Sequence, residues 1–250
     1  MAKKAKVNAG ILIIGNEILS GRTQDTNTST LATWLNSIGV KVEEVRVIPD
    51  IEKTIVDTVN FLRSSYDYVF TTGGIGPTHD DITAESISKA FGIKYKLHKE
   101  AFKILEQYYK PGEFNEGRQK MVWMPENAGL ILNPTSGAPG FSIENVFCLP
   151  GVPSILKSMI GGITNKIVGG EQILSHTINL RTVESEIAKS LTSIQHKNKE
   201  VEIGSYPFFQ AGKLGVSIVM RSTDQNKIDN CNLEIMKLVK EKNIQVAEKR

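Results

Sequence analysis

The sequence predicts an α/β protein: a mostly parallel sheet covered by helices on both faces, followed by a small α+β unit. Three observations predict it. Over the first two-thirds of the chain, short apolar runs alternate with amphipathic stretches of about ten to fifteen residues. Beyond "NKIVGGEQ" the style changes to fewer, longer strands and two helices. The chain has 250 residues, 40% of them hydrophobic, enough for a medium domain with its own core and a small companion.

The elements follow in order. "AGILIIG" (9–15) is a buried strand ended by glycine. "NTSTLATWLNSIG" (27–39) places Leu31, Trp34, Leu35 and Ile38 at helical spacing and stops at Gly39. "VKVEEVRVI" (40–48) alternates at period two. Asp50 can then cap a helix with Ile51, Ile55, Val59 and Leu62 on one face. "YDYVFTT" (66–72) is the next strand, and "ITAESISKAFG" (82–92) a helix closed by Gly92. "KEAFKILEQYY" (99–109) is helical until Pro111 and Gly112, with a short helix near "EGRQKMV". Apolar strands "AGLIL" (128–132) and "NVFCLPG" (145–151) flank a loop, "NPTSGAPGFSI", and Pro153 opens a helix running to about Gly161. Gly169 and Gly170 mark a boundary, giving domains 1–168 and 169–250. The second contains "ILSHTINLR" (173–181), a helix at 183–195, strands near "VEIGSY" and at 214–222, and a final helix at 224–240.

Composition excludes several function classes. A formal net charge of +3 gives no reason to expect nucleic acid or membrane partners, and the basic start "MAKKAK" reads as a solvated tail. No apolar run approaches a membrane span. "VNAGILIIGNEIL" imitates a signal peptide, but Asn16 and Glu17 interrupt it and no small-residue cleavage site follows. Cys148 and Cys231 show neither metal spacing nor a framework of pairs, which fits a reduced, cytoplasmic protein.

The chemistry concentrates in "TTGGIGPTHDDIT" (71–83). The segment leaves a strand and precedes a helix, so it belongs at the sheet edge where ligands of parallel sheets bind. Gly73, Gly74 and Gly76 free the backbone to approach a ligand closely. Amide groups there, with the following helix N-terminus, can hold a phosphate or pyrophosphate, and Thr72 and Thr78 can add hydroxyl bonds. Asp80 and Asp81 would repel a phosphate, so their presence calls for a cation. Mg²⁺, or Mn²⁺ or Co²⁺, is the cofactor expected between these acids and the phosphate. The competing reading is a plain strand-to-helix turn whose Asp81 caps the helix. The segment is neither a Rossmann fingerprint, because position 79 is His, nor a P-loop.

Companion segments reach the same edge. In "GNEILSGRTQDTN" (15–27), Glu17 can ligate, orient water or act as a base, or merely cap backbone. Asn27 can touch a ligand or hold its own loop. "SGAPGF" (136–141) offers Ser136, Gly137 and Gly140 as a further wall for a ring or a second phosphate, or a plain turn. Arg118 and Lys120 can neutralise phosphate or simply face solvent.

Together and in this order, "GNEILSG…DTN", "TTGGIGPTHDDIT", "SGAPGF" and "LPGVP" resemble the molybdopterin-binding-type domain of the competence/damage-inducible protein CinA family, over roughly residues 8–168. The later "VEIGSYP…LGVSIVMRS" is similar to the small domain that follows in CinA-like proteins and in eukaryotic FAD synthases. The resemblance implies a three-layer α/β/α domain with a crevice for a pterin or nucleotide phosphate. It implies binding roles for Glu17, Asn27, Gly73, Gly74, Gly76, Thr78, Asp80 and Asp81. CinA-like members are associated with metal-dependent cleavage of ADP-ribose-type pyrophosphates, the FAD synthase region with FAD cleavage, and the molybdenum-cofactor branch with binding or adenylating molybdopterin. Full-length CinA proteins usually continue into an amidase domain; this chain ends at Arg250, so amidase activity is not expected. Ile75 and "PTHDD" draw the sequence to the CinA side, and Asn16 stands where relatives often carry Asp.

The expectation is thus a cytoplasmic, metal-dependent nucleotide pyrophosphatase, with Asp80, Asp81 and Glu17 as catalytic residues and Asp80 and Asp81 holding the metal. The alternatives are a molybdopterin-adenylylating enzyme and a binding module without turnover. The expected partner is a small nucleotide or pterin phosphate. A homo-oligomer is also expected, in which the small unit, with apolar stretches such as "YPFFQAG", can serve as the contact.

Overall fold

The computed structural model describes residues 6–210 and 212–247, with the side chain of Gln210 left aside, so nearly all of the basic start and Ala211 of "YPFFQAG" lie outside the described residues. The chain divides into two compact units between Glu171 and Gln172. Gly169 and Gly170, where the sequence suggests the boundary, are held by the first unit. The Gly170 amide donates to the Gly39 carbonyl at 3.0 Å, and a Cβ on Gly169 would lie 1.8 Å from the Ile38 carbonyl oxygen.

The first unit runs β1 (Val7–Ile14), α1 (Asn16–Leu19), α2 (Asn27–Ser37), β2 (Val40–Ile48), α3 (Glu52–Ser65), β3 (Tyr68–Thr72) and α4 (Thr83–Ala90). It continues through β4 (Tyr95–Leu97), α5 (Lys99–Tyr108), α6 (Glu116–Lys120), β5 (Trp123–Pro125), β6 (Gly129–Ile131), β7 (Gly140–Ile143), β8 (Val146–Leu149) and α7 (Pro153–Met159). A 3-10 turn, Ile160–Lys166, follows. The main sheet has the order β2-β1-β3-β8-β7-β6. β2, β1, β3 and β8 pair in parallel; β7 and β6 close one edge antiparallel.

Alternation across the pleat builds two cores. Leu12, Ile14 and Val69 face one side, where they meet Ile55, Val59 and Leu62 of α3 and Ile87 of α4. Ile11, Ile13 and Phe70 face the other, against Leu31 and Leu35 of α2 and Leu156 and Met159 of α7. This is an α/β sheet covered on both faces. Phe70 stacks on Phe147 at 5.1 Å and receives the edge of Trp34 at 5.8 Å.

Three local expectations are corrected. Asp50 does not cap α3, whose N-cap is Ile51 without a side-chain bond; the Asp50 carboxylate instead accepts from the Asn16 amide at 2.9 Å, tying two strand ends together. The stretch read as a loop between 132 and 145 contains β7. A two-stranded ribbon, β4 with β5, stands apart from the main sheet and has no counterpart in the sequence reading.

The second unit runs β9 (Leu174–Arg181), α8 (Glu184–Lys197), β10 (Glu202–Gln210), β11 (Lys213–Ser222), α9 (Gln225–Glu241) and β12 (Gln245–Val246). Its antiparallel sheet has the order β10-β11-β9-β12, the split β-α-β arrangement. Ile178, Leu180, Val216, Ile218 and Met220 pack on Ile187, Leu191, Ile228 and Ile235 of the helices. Both cysteines are buried and unpaired, and burial pushes the thiols up to about 12 for Cys148 and about 11 for Cys231. Among the described residues, no helix is long and apolar enough to cross a membrane.

Candidate functional site

Because β1, β3 and β8 run parallel, the segments after Ile14, Thr72 and Leu149 emerge at one edge of the sheet. The sequence motifs therefore converge there. The glycine loop is the centre of the cluster, and its shape is set by the missing Cβ atoms. Gly73 has φ 100° and Gly74 has φ 66°, both in the range that favours glycine. A Cβ on Gly73 would lie 2.1 Å from the Ile14 carbonyl oxygen, and one on Gly74 would lie 2.1 Å from Thr83 Oγ1. The close approaches that the missing Cβ atoms of these two glycines permit are thus to the protein itself. Thr83 locks the arrangement: its amide donates to the Gly74 carbonyl at 2.9 Å and its hydroxyl to the Gly73 carbonyl at 3.0 Å.

The acidic turn folds onto this loop. The Thr78 amide and hydroxyl both donate to Asp81 Oδ2, at 2.7 and 2.5 Å, and the Asp81 amide returns to the Thr78 carbonyl at 3.2 Å. A Cβ on Gly76 would lie 2.7 Å from that same carboxylate, so glycine is needed for Asp81 to turn inward. Asp80 is exposed. A hydrogen bond from the Thr78 hydroxyl, then one from its own backbone amide, hold its carboxyl below the usual value of 3.8. In the turn's geometry the Thr78 hydroxyl points at Asp81 Oδ2, and both carboxylates keep free lone pairs. The Lys120 ammonium donates to the Thr78 carbonyl from α6. Among the described residues, no three His, Cys, Asp or Glu side chains gather where they could hold a metal ion. Two neighbouring carboxylates match the one or two that Mg²⁺ takes when substrate phosphates and water complete its shell.

On one side of the loop lies a slot bordered by Glu17, Asp25, Asn27, Thr72 and Gly151, with about 40 Å³ enclosed. The slot is small and partly open, with room for at least one ordered water or a ligand's polar group. Asp25 Oδ1 accepts from the amides of Asn27 and Thr28 at 2.8 and 3.3 Å, which opens α2 and fixes Asn27 in place. Asn27 Nδ2 donates to the Gly151 carbonyl at 2.7 Å. Asn27 is 5% exposed and Thr72 1%, yet among the described residues Asn27 Oδ1 and Thr72 Oγ1 have no hydrogen-bond partner. Buried polar oxygens are seldom left so. Glu17 is exposed at the mouth.

On the other side of the loop, Gly76, Asp81 and Lys120 border a second, shallow hollow with Tyr95, Trp123 and Phe141. Of the wall expected from "SGAPGF", Ser136, Gly137 and Gly140 border neither hollow. Asn133 takes up Ser136, donating to its hydroxyl at 2.6 Å and accepting from its amide at 3.0 Å. Gly137 packs on the Tyr108 ring, and Gly140 is buried in β7 where a Cβ would lie 2.4 Å from the Cys148 carbonyl oxygen. Pro139 and Phe141 border the second hollow instead. Arg118 lies over the Tyr109 ring at 4.2 Å, and only Lys120 of the two basic candidates borders the hollow. Sequence reasoning missed Asp25, Thr83, Tyr95 and Trp123. The Asp two residues before a helix-opening Asn was the available signal for the first.

Comparison with known proteins agrees with this architecture. The model described as a probable molybdopterin binding domain matches residues 10–170, and that of the FAD synthase middle domain matches residues 172–248. A protein of Archaeoglobus fulgidus is 36% identical over 197 residues, covering 79% of this chain and 84% of the relative. One from Aeropyrum pernix is 33% identical over 222 residues, covering 84% and 82%. The solved structure of the protein CinA with unknown function from Thermoplasma acidophilum is 30% identical, covers 64% of this chain and 99% of that one, and superposes with a TM-score of 0.60. With one family model spanning well over half its length and a CinA structure matched almost end to end, the chain belongs, as a CinA-like member, to the family of probable molybdopterin binding domains.

Proposed function

We propose that the chain is a divalent-metal-dependent nucleotide pyrophosphatase acting on ADP-ribose, FAD or a similar dinucleotide. The observation that carries this reading is the position of the acidic turn. The Thr78–Asp81 turn belongs to a loop whose two ends border two separate hollows, as suits a ligand with two ends joined by a diphosphate. Asp80 and Asp81 would hold the cation, which when bound supplies charge neutralisation at the diphosphate and a more acidic water. The chain's own groups do the rest. The Thr72 hydroxyl and loop amides bind and orient phosphate oxygens, Thr78 holds Asp81 in place, Lys120 adds positive charge at the turn, and Glu17 takes the proton of the attacking water. The proton leaves the water as its oxygen attacks one phosphorus, and the bridging P–O bond breaks to release the other half as a monophosphate, the water oxygen staying on the first. Incubating the full chain with ADP-ribose or FAD and Mg²⁺, Mn²⁺ or Co²⁺ tests the reading: two monophosphate products are expected. A folded sample that gives none with any metal rejects it.

A second reading is favoured by the match to the probable molybdopterin binding domain: the chain can be a module that binds molybdopterin without turnover, or an enzyme that adenylates it. Saturable molybdopterin binding without products supports the module, and an adenylylated pterin supports the transferase.

A further inference from the structure

The two tryptophans of the chain have different surroundings. Trp34 packs at right angles to buried Phe70. Trp123 is 40% exposed on β5, next to the glycine loop. Its ring lies 5.6 Å from that of Tyr95 at 47°, across the β4–β5 ribbon in which Leu97 pairs with Trp123. Phe141, 2% exposed, contributes an apolar lining to the same hollow. Lys120 and Asp81 contribute opposite charges to its polar side, and the Lys120 ammonium is already fixed on Thr78 of the acidic turn. An aromatic wall, an apolar lining and a few convergent polar groups are the composition of a small-molecule site; with only about 10 Å³ inside the hollow, a ring would lie over its rim, on the exposed Trp123 face. A singly exposed tryptophan is ordinary on a protein surface. One that faces a hollow shared with a phosphate-type loop has a more specific use.

We infer that Trp123 and Tyr95 form the binding wall for the planar nitrogen heteroaromatic ring of a phosphate-bearing ligand, with Trp123 the residue that discriminates ring-bearing ligands from bare phosphates. The inference rests on the glycine loop being the phosphate site of the proposed function. The ring lies against the exposed face of Trp123, and the phosphate chain leads past Lys120 to the Thr78–Asp81 turn. Burial pushes the Tyr95 phenol up to about 12, so it stays a neutral hydroxyl donor at the edge of the ring. The rings of a purine, a flavin and a pterin share this chemistry, and titration separates them.

The test is calorimetric titration of the full chain, with Mg²⁺ present, by ADP-ribose, FAD, molybdopterin and inorganic pyrophosphate. Loss of one stacking contact weakens a base by about 5- to 150-fold. Trp123→Ala should therefore weaken the ring-bearing ligands at least about fivefold and leave pyrophosphate within twofold, while Trp123→Phe restores most of the loss. In a Trp34→Phe background, ADP-ribose should quench the remaining tryptophan emission and pyrophosphate should not. The ring that loses most identifies the ligand class. Unchanged affinity for all ring-bearing ligands, or an equal loss for pyrophosphate, overturns the inference, as does a wild-type chain that binds none of them. Ring-dependent binding without hydrolysis rejects the pyrophosphatase reading and leaves the ring site standing.

Discussion

Thr78 grips Asp81 twice, through its amide at 2.7 Å and its hydroxyl at 2.5 Å, whereas neighbouring Asp80 stays in solvent. Adjacent acids thus carry different loads. Asp81 closes the turn as well as facing the hollow. Asp80 has no comparable structural duty.

Asp81→Ala should accordingly cost about 1–2 kcal/mol, because two donors on Thr78 lose their acceptor, and lower the Tm by several degrees. Asp80→Ala, at an exposed side chain with no bond in the turn's geometry, should lower the Tm by less. Under the proposed function both should remove metal-dependent hydrolysis. Thermal melts beside product assays check this, and a stable, fully active Asp80→Ala variant removes Asp80 from the catalytic set.

Gly73 and Gly112 separate two costs of adding a methyl group. Both have positive φ, 100° and 84°, but a Cβ on Gly112 meets nothing within 4 Å, while one on Gly73 meets the Ile14 carbonyl oxygen at 2.1 Å. Gly112→Ala should cost only backbone strain, about 1–2 kcal/mol. Gly73→Ala adds displacement of β1 from the loop, for a total of about 2–5 kcal/mol. Denaturant titration of the two variants measures the difference; equal costs show that the loop yields freely.

The contrast marks what the sequence holds and what it does not. β1, β3 and β8 are legible because buried parallel strands are continuous apolar runs, and α2, α3 and α5 because their apolar stripes repeat at helical spacing. The convergence of Glu17, Asn27 and the glycine loop follows from the parallel order alone. β4 and β5, three residues each, are too short for any period to register. The hollow they help build, with Tyr95 and Trp123, is invisible for the same reason. β7 is misread because its glycine signals a turn, when Gly140 serves close approach to the Cys148 carbonyl. A glycine in a sequence announces missing volume, and only the folded chain shows whether ligand or protein fills it.

The acid titration of Asp80 provides a third prediction. Its carboxyl is held below 3.8 first by the Thr78 hydroxyl. A folded-state pKa below the unfolded one contributes stability that is fully present above the unfolded value and lost as pH falls through the folded value. The pH dependence therefore falls below about 3.8, and near neutrality the contribution is fully present and does not change with pH. Thr78→Val should raise the Asp80 midpoint toward 3.8, and Thr78→Ser should keep it low. Carbon-13 NMR of the side-chain carboxyl reads both; an unmoved midpoint in Thr78→Val assigns the effect to the backbone amide instead.

Asn27 and Gly151 lie 124 residues apart and are joined by one bond, from Nδ2 to the carbonyl at 2.7 Å. The bond ties the start of α2 to the turn before α7, and it leaves Oδ1 of a 5% exposed side chain without a partner among the described residues. Asn27→Ala removes both ends of this arrangement and should cost about 0.5–1.5 kcal/mol, the net worth of one part-buried hydrogen bond. Asn27→Asp keeps the unpartnered oxygen but loses the donor and sets a second carboxylate near Asp25, whose Oδ1 accepts from the residue 27 amide. Its loss of stability should be at least as large, and should shrink as pH falls and the new acid protonates. If Oδ1 serves a ligand, both variants weaken phosphate-bearing ligands, and saturating ligand restores less stability to them than to the wild type. Melting curves with and without ADP-ribose, at neutral and at acid pH, decide it: equal ligand-induced shifts in all three proteins make Asn27 a structural tie alone.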